Sequence, residues 1–406
     1  MKATADRRLH EQLVDGSLLL IPIPFPQKSH PSFAPSLGLS FLISLSLSMG
    51  SKAHSRFGPL LLRYVSLALA ASSWGVTAGR LSPPACDLFR GTWAYDESYP
   101  LYDSASCPFI RREFDCLRYG RPDEMYLKYR WIPNGCDLPR FDGRDLLERW
   151  RGKKIMFVGD SLSLNQFNSF LCLLHAAVPG GRTSSNRTEV LTAVRFEDYN
   201  VTVMYYVTHY LVDVVREKIG RVLKLDSIQG GQVWLGADVL IFNTWHWWPT
   251  RGPAQAWDFI QDGKKILKDM DRTVAFSKAL TTWARWADSS INPATTKVFY
   301  QGVSPSHYHG QDWGGSYRES CSGQTQPLNA STYPGGPAPQ EAIVENVLGT
   351  ISKPVYLLDI TFLSQLRKDA HPSKYNGVHF QNDCSHWCLA GLPDTWNQLM
   401  YAAVIR

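Results

Sequence analysis

The chain has 406 residues, of which 44% are hydrophobic, 12% aromatic and only 19% charged, with a formal net charge of +6. That length and apolar fraction can bury a substantial core in one to three domains, and they exclude a disordered polyelectrolyte. No block of Lys and Arg stands out, which argues against a nucleic-acid partner.

In chain order, residues 1–48 carry an apolar run, FLISLSLS, and a Pro/Ser-rich stretch but no recognisable element. Met49 directly precedes a basic flank of Lys52, His54 and Arg56, so residues 1–48 read as a gene-model extension ahead of the true start. Residues 1–58 are then leader and cytosolic tail. From Pro59 to Ala78 the chain is apolar apart from Arg63 and a few small polar residues. A positive flank before such a run is the pattern of a signal peptide or a type II signal anchor, here over 59–80. The chain beyond residue 80 then belongs in the lumen of the secretory pathway.

All eight cysteines lie beyond that segment: Cys86, Cys107, Cys116, Cys136, Cys172, Cys321, Cys384 and Cys388. An even number confined to the lumenal part suggests four disulfides. The first four are too widely spaced, and too far from any His, for a zinc site. Sequons at Asn186, Asn200 and Asn329 agree with secretion.

Residues 81–150 are rich in Cys, Pro, Gly, Tyr and Asp with little periodicity, and predict a loop-rich annex pinned by disulfides. The character changes in 151–406. Ile155–Val158 is a short apolar run, and Leu164, Phe167, Phe170, Leu171 and Leu174 then recur at helical spacing. Strands are predicted over Val201–Tyr206, Ala237–Phe242, Lys297–Gln301 and Val355–Asp359. Helices are predicted over Thr273–Ala287, Gln340–Ile351 and Trp396–Ile405. Strands alternating with helices predict an α/β domain around a parallel sheet covered on both faces. The fourteen Trp and eighteen Tyr fit either core packing or a cleft that stacks on sugars.

In such sheets a site forms at the carboxyl ends of strands. Gly159-Asp160-Ser161 sits there, between a buried strand and a helix. Gly permits a sharp turn, and the helix N-terminus offers N–H groups to an oxyanion. Ser161 stands where a nucleophile should, although Asp160 or Ser161 as a simple helix cap fits the same three residues. Asn243 ends another buried strand and offers an amide to a developing oxyanion, or serves as a strand-end turn. His246, among three tryptophans, reads as a packed or substrate-contacting residue, and Asn165 is grouped with Gly159, Asp160, Asn243 and His246 as candidate oxyanion or substrate residues. Two C-terminal histidines compete as base. His371 lies beside Pro372, whereas His386 comes three residues after Asp383, a spacing that brings the carboxylate to Nδ1 and leaves Nε2 for the serine. His307 and His309, near Asp312, lack a third metal ligand and read as a polar loop near the cleft.

The order Gly159-Asp160-Ser161, Asn243, Asp383-x-x-His386 resembles SGNH/GDSL-type folds. Cys86-Asp87-Leu88-Phe89-x-Gly91-x-Trp93, Pro100-Leu101-Tyr102, Cys107-Pro108-Phe109-Ile110, Tyr129-Arg130-Trp131, Cys136-Asp137-Leu138-Pro139 and Trp387-Cys388 extend the likeness. From about Ala85 onward the chain resembles the plant trichome birefringence-like family of polysaccharide O-acetyltransferases. The resemblance implies an SGNH-like catalytic region and a type II Golgi membrane enzyme, or one secreted to the wall. It also implies a Ser161–His386–Asp383 triad, and an acetyl donor, acetyl-CoA, with no tightly bound cofactor. The implied acceptor is a cell-wall glycan: xylan first, with pectin, xyloglucan and mannan behind it. Implied as well are the pairs Cys86–Cys136, Cys107–Cys172, Cys116–Cys388 and Cys321–Cys384. Many members carry Arg where this chain has Leu164, which bears on donor or acceptor preference. A glycan acetylesterase using the same triad and a non-catalytic glycan-binding protein are the rival readings.

Overall fold

The computed structural model describes residues 86–378 and 381–406, which belong to one compact unit. The anticipated leader, anchor and start at Met49 lie outside the described residues.

The strands are β1 Asp87–Tyr95, β2 Tyr129–Asn134, β3 Lys154–Gly159, β4 Thr183–Arg187, β5 Leu191–Phe196, β6 Val201–Val207, β7 Val214–Glu217, β8 Gly220–Lys224, β9 Val239–Phe242, β10 Phe259–Asp262, β11 Lys265–Leu267, β12 Lys297–Gln301 and β13 Tyr356–Leu358. The helices are α1 Gly143–Arg149, α2 Ser161–Ala177, α3 Arg272–Ser290, α4 Pro339–Leu348, α5 Thr361–Gln365 and α6 Leu392–Ile405. A seven-stranded sheet in the order β13-β12-β9-β3-β6-β5-β4 forms the centre. Its first five strands are parallel, as expected. The hairpin β4–β5 joins β6 antiparallel, so the sheet is mixed.

The central strand β3 is buried from Ile155 to Gly159 because both of its faces are covered. Ile155 and Phe157 point into a core shared with α2 and α6, and Met156 and Val158 into a second core built around α3. Both cores are rich in aromatic rings, and the second holds the denser tryptophan cluster. Trp234, Phe242, Trp283 and Trp286 meet edge to face at 5.1–5.8 Å, and Trp131, Trp234, Trp248, Trp257, Trp283, Trp387 and Trp396 are fully buried. Core packing therefore explains most of the tryptophan content.

Three expectations change. The closing helix starts at Leu392 rather than Trp396, because Pro393 suits its first turn and Asp394 Oδ2 accepts the Gly391 N–H at 2.7 Å. A second sheet, β11-β10-β8-β7, goes beyond the predicted elements. Its strands are three to five residues long, turning at Gly220 (φ 129°) and Gly263 (φ 60°), too short for a periodic signal. The annex is more ordered than its composition suggests: β1 and β2 form an antiparallel pair, and Tyr102, Tyr126 and Trp131 share the core with α2 and α6. A fully buried ion pair clamps it down. Arg367 Nε meets Asp369 Oδ1 at 2.9 Å, donates from Nη2 to the Tyr126 carbonyl at 2.7 Å, and lies 4.5 Å over the Trp93 ring.

The four disulfides are Cys86–Cys136, Cys107–Cys172, Cys116–Cys388 and Cys321–Cys384, the same pairs that the resemblance implies. Two tie annex residues to α2 and to the C-terminal loop.

Candidate active site

The end of β3 turns sharply into α2. Asp160 caps the helix by accepting the Leu162 N–H at 2.9 Å, and Ser161 is its first residue. Gly159 is required by close approach: a Cβ there would lie 2.7 Å from the Asn243 carbonyl and 2.8 Å from its Oδ1, and would also strike Ser163 Oγ. Its absence lets the Asn243 turn, at the end of β9, sit directly against the Ser161 turn. The Asn243 N–H donates to Val158 at 3.0 Å, while its side-chain oxygen is buried without a partner. Tyr205 closes the other side, donating from Oη to the Asp160 carbonyl at 3.1 Å.

The second half of the site lies in irregular chain. Asp383 Oδ1 accepts the N–H groups of Ser385 and His386 at 3.0 Å, which closes a tight turn. Its Oδ2 meets His386 Nδ1 at 2.7 Å, and His386 Nε2 meets Ser161 Oγ at 2.6 Å. Carboxylate, imidazole and hydroxyl thus form one hydrogen-bonded chain. The two nitrogens divide the work, because Nδ1–H donates to Asp383 and Nε2 is left to accept from Ser161.

The electrostatics suit proton transfer. Burial opposes charge on His386, but the Asp383 carboxylate outweighs it and raises the imidazole above its ordinary value. Asp383 is held well below the carboxylate range: burial opposes ionisation, and His386 together with the turn amides overcomes it. Asp160 is pushed up to about 6 by burial, against the pull of the Leu162 N–H and of His386. His246, its ring 5.7 Å from that of His386, is driven down to about 4 chiefly by burial and stays neutral at pH 7.

Other sequence-derived candidates go elsewhere. Asn165, grouped with the candidate oxyanion or substrate residues, has its amide engaged away from Ser161. It is fully buried, its Oδ1 accepts the Trp387 N–H at 2.8 Å and its Nδ2 donates to the Trp387 carbonyl at 3.0 Å. Placed one turn after Ser161, it ties the Ser161 helix to the His386 turn. His371 does not reach Ser161; its ring is buried against His307 and the His386 carbonyl. His307, expected in a polar loop, is fully buried too. Asn186, Asn200 and Asn329 are exposed.

Residues absent from the sequence reading come from the annex. The Phe114 ring lies 5.6 Å from that of His386, its carbonyl accepts the Leu389 N–H at 2.9 Å, and Glu113 supports positive charge on His386. The Cys116–Cys388 pairing carried the signal, since it joins the chain two residues beyond Phe114 to a point two residues beyond His386.

Comparison with known proteins adds a lineage. Residues 138–403 match the family described as the GDSL/SGNH-like acyl-esterase family found in Pmr5 and Cas1p, and residues 84–137 match the PMR5 N-terminal domain. The chain is 54% identical over 320 residues to protein trichome birefringence-like 38 of Arabidopsis thaliana, covering 79% of this chain and 84% of that one. It is 51% identical over 368 residues to trichome birefringence-like 40 of the same plant, covering 91% and 100%. With trichome birefringence-like 39 the identity is 55% over 324 residues, covering 80% and 88%.

Proposed function

The chain belongs to the trichome birefringence-like family and carries its acyl-esterase-type domain, and on that premise we propose that it transfers acetyl groups to hydroxyls of a plant cell-wall glycan, xylan first. Ser161 is the nucleophile, His386 the acid–base and Asp383 its partner. His386 Nε2 takes the Oγ proton as Oγ attacks the carbonyl of an acetyl donor, acetyl-CoA. The donor's C–S bond breaks and its sulfur leaves with that proton. A sugar hydroxyl then gives its proton to His386 and attacks acetyl-Ser161, and Oγ departs with the proton. The Ser161 N–H, which has no intrahelical acceptor at the first helical position, and the Asn243 amide stabilise the oxyanion. The membrane anchor at 59–80 holds the catalytic body in the Golgi lumen.

The observation that carries this reading is the unbroken Asp383–His386–Ser161 chain at 2.7 and 2.6 Å. Hydrolysis, with water in place of the sugar, uses the same groups and draws on the description of the matched family as acyl-esterases. Incubating the protein with an acetyl donor and a panel of unacetylated oligosaccharides, with mass detection, separates the two. Acetylated sugar supports transfer, and free acetate alone supports hydrolysis. An acetyl adduct that persists in Ser161→Ala would refute the assignment, and glycan binding without turnover would leave a binding protein.

A further inference from the structure

Behind the base turn lie two histidines that the proposed reaction does not use. His307 and His371 are both buried, and their rings meet through His307 Nδ1 and His371 Nε2 at 2.6 Å. The outer nitrogens face backbone carbonyls: His307 Nε2 lies 2.9 Å from the Gln365 oxygen and His371 Nδ1 lies 2.6 Å from the His386 oxygen. A carbonyl only accepts, so both outer nitrogens carry hydrogen. If both rings were neutral, each inner nitrogen would present a lone pair, and two lone pairs would face each other at hydrogen-bonding distance. One additional proton between them removes the conflict.

We infer that His307 and His371 share one proton as a buried imidazole–imidazolium pair, and that this pair positions His386. Burial acts against charge on either ring, pushing His307 to about 4 and His371 well below its ordinary value. The surroundings act the other way. Asp369 favours charge on His307, and Asp383 favours it on His371, against Lys368, His386 and the neighbouring ring itself. Arg121 closes the annex side by donating to the His371 carbonyl at 2.8 Å.

The positioning half of the inference rests on the function proposed above. His371 stacks on the Trp387 indole at 3.9 Å and 25°, with its Nδ1–H on the His386 carbonyl; Asn165 grips the Trp387 backbone from the nucleophile helix. His307 is itself stitched in place, its N–H on the Cys384 carbonyl and its carbonyl on the Cys321 N–H, each at 2.8 Å. A shared proton makes the His371 donor charge-assisted, the stronger and shorter kind of hydrogen bond.

The test is nuclear magnetic resonance of the full chain with 15N-labelled histidine. A single strongly deshielded proton correlated with both inner nitrogens is expected, present in wild type and in Ser161→Ala, and lost in His371→Gln. Two neutral rings with unprotonated facing nitrogens in wild type overturn the shared proton, whatever the enzyme's reaction proves to be. For positioning, His307→Leu should slow acetyl-enzyme formation about tenfold with KM unchanged, well short of the ~10²-fold that a 1 Å misplacement can cost. His307→Gln, whose amide can still donate to His371, should recover part of that loss. The His386–Asp383 proton resonance should shift in His307→Leu, and this readout holds even if Ser161 is never acetylated. An unmoved resonance overturns the positioning role.

Discussion

Ser161 and His386 come within hydrogen-bonding reach, yet the chain holds them by opposite means. Ser161 rides on regular structure, at the joint between a central parallel strand and a 17-residue helix capped by Asp160. The Asp383–His386 turn belongs to no helix or strand; Asp383 meets Ser373 in an isolated bridge and nothing longer. Its rigidity comes from cross-links: Cys321–Cys384 and Cys116–Cys388 on either side of His386, Asn165 and His371 on the backbone, and Ser304 on the Trp387 indole at 2.9 Å. The Ser161 hydroxyl is placed by the fold itself, whereas an imidazole arriving from a remote loop has to be fastened residue by residue.

The largest expected effect strikes the junction between the two halves. Asp383→Asn should lower the acetylation rate about 10⁴-fold by presenting the wrong tautomer to Ser161. It should also move the pH profile. Asp383 raises His386, so the wild-type rate should fall as pH drops through a value above the ordinary ~6.5 of imidazole, and in the variant that limb should lie at lower pH. On the regular side, Asn243→Ala should cost roughly 10²–10³ in rate with little change in stability, the loss expected for one oxyanion donor. An unaffected rate would leave Asn243 as a turn former.

On the cross-linked side, replacing Cys321 and Cys384 together by Ser opens a loop of 63 residues' separation. Chemical denaturation should show a loss of about 2–4 kcal/mol, and kcat should fall while the Ser161 turn stays intact. If kcat is unchanged, the base turn supports itself and the contrast between the halves fails. The smallest effect belongs to the strut between them. Asn165→Ala leaves the Trp387 N–H and carbonyl unpaired in a buried setting, and should cost about 1–3 kcal/mol of stability.

The same contrast decides what can be read from the sequence. Strand β3, the start of α2 and the strands β9 and β12 announce themselves through apolar runs and a Gly-Asp-Ser joint, because regular structure is encoded locally. Asp383 and His386 are legible for the same reason: three residues apart, they meet within one turn. Asn165 is not, because its partner is 222 positions away, and nothing near it says which backbone its amide will grip. His307 and His371, 64 positions apart, read separately as a loop residue and a rival base, when their actual partners are each other. The annex reads as a separate layer because the pair that anchors it, Arg367–Asp369, lies far along the chain.

The bond between Cys116 and Cys388 carries a consequence for biosynthesis. Its two ends are separated by 272 residues, so at roughly 5–20 residues per second Cys116 exists for about 14–54 s before its partner has been made. Throughout that interval Cys107 and Cys136 are close by in the growing chain, and a thiol left waiting among them has to be kept from the wrong exchange. The annex, made first, therefore waits for a residue made almost last, and maturation cannot proceed simply from N-terminus to C-terminus. Yield in a heterologous host should track the supply of disulfide isomerase more closely than the intrinsic stability of the sheet.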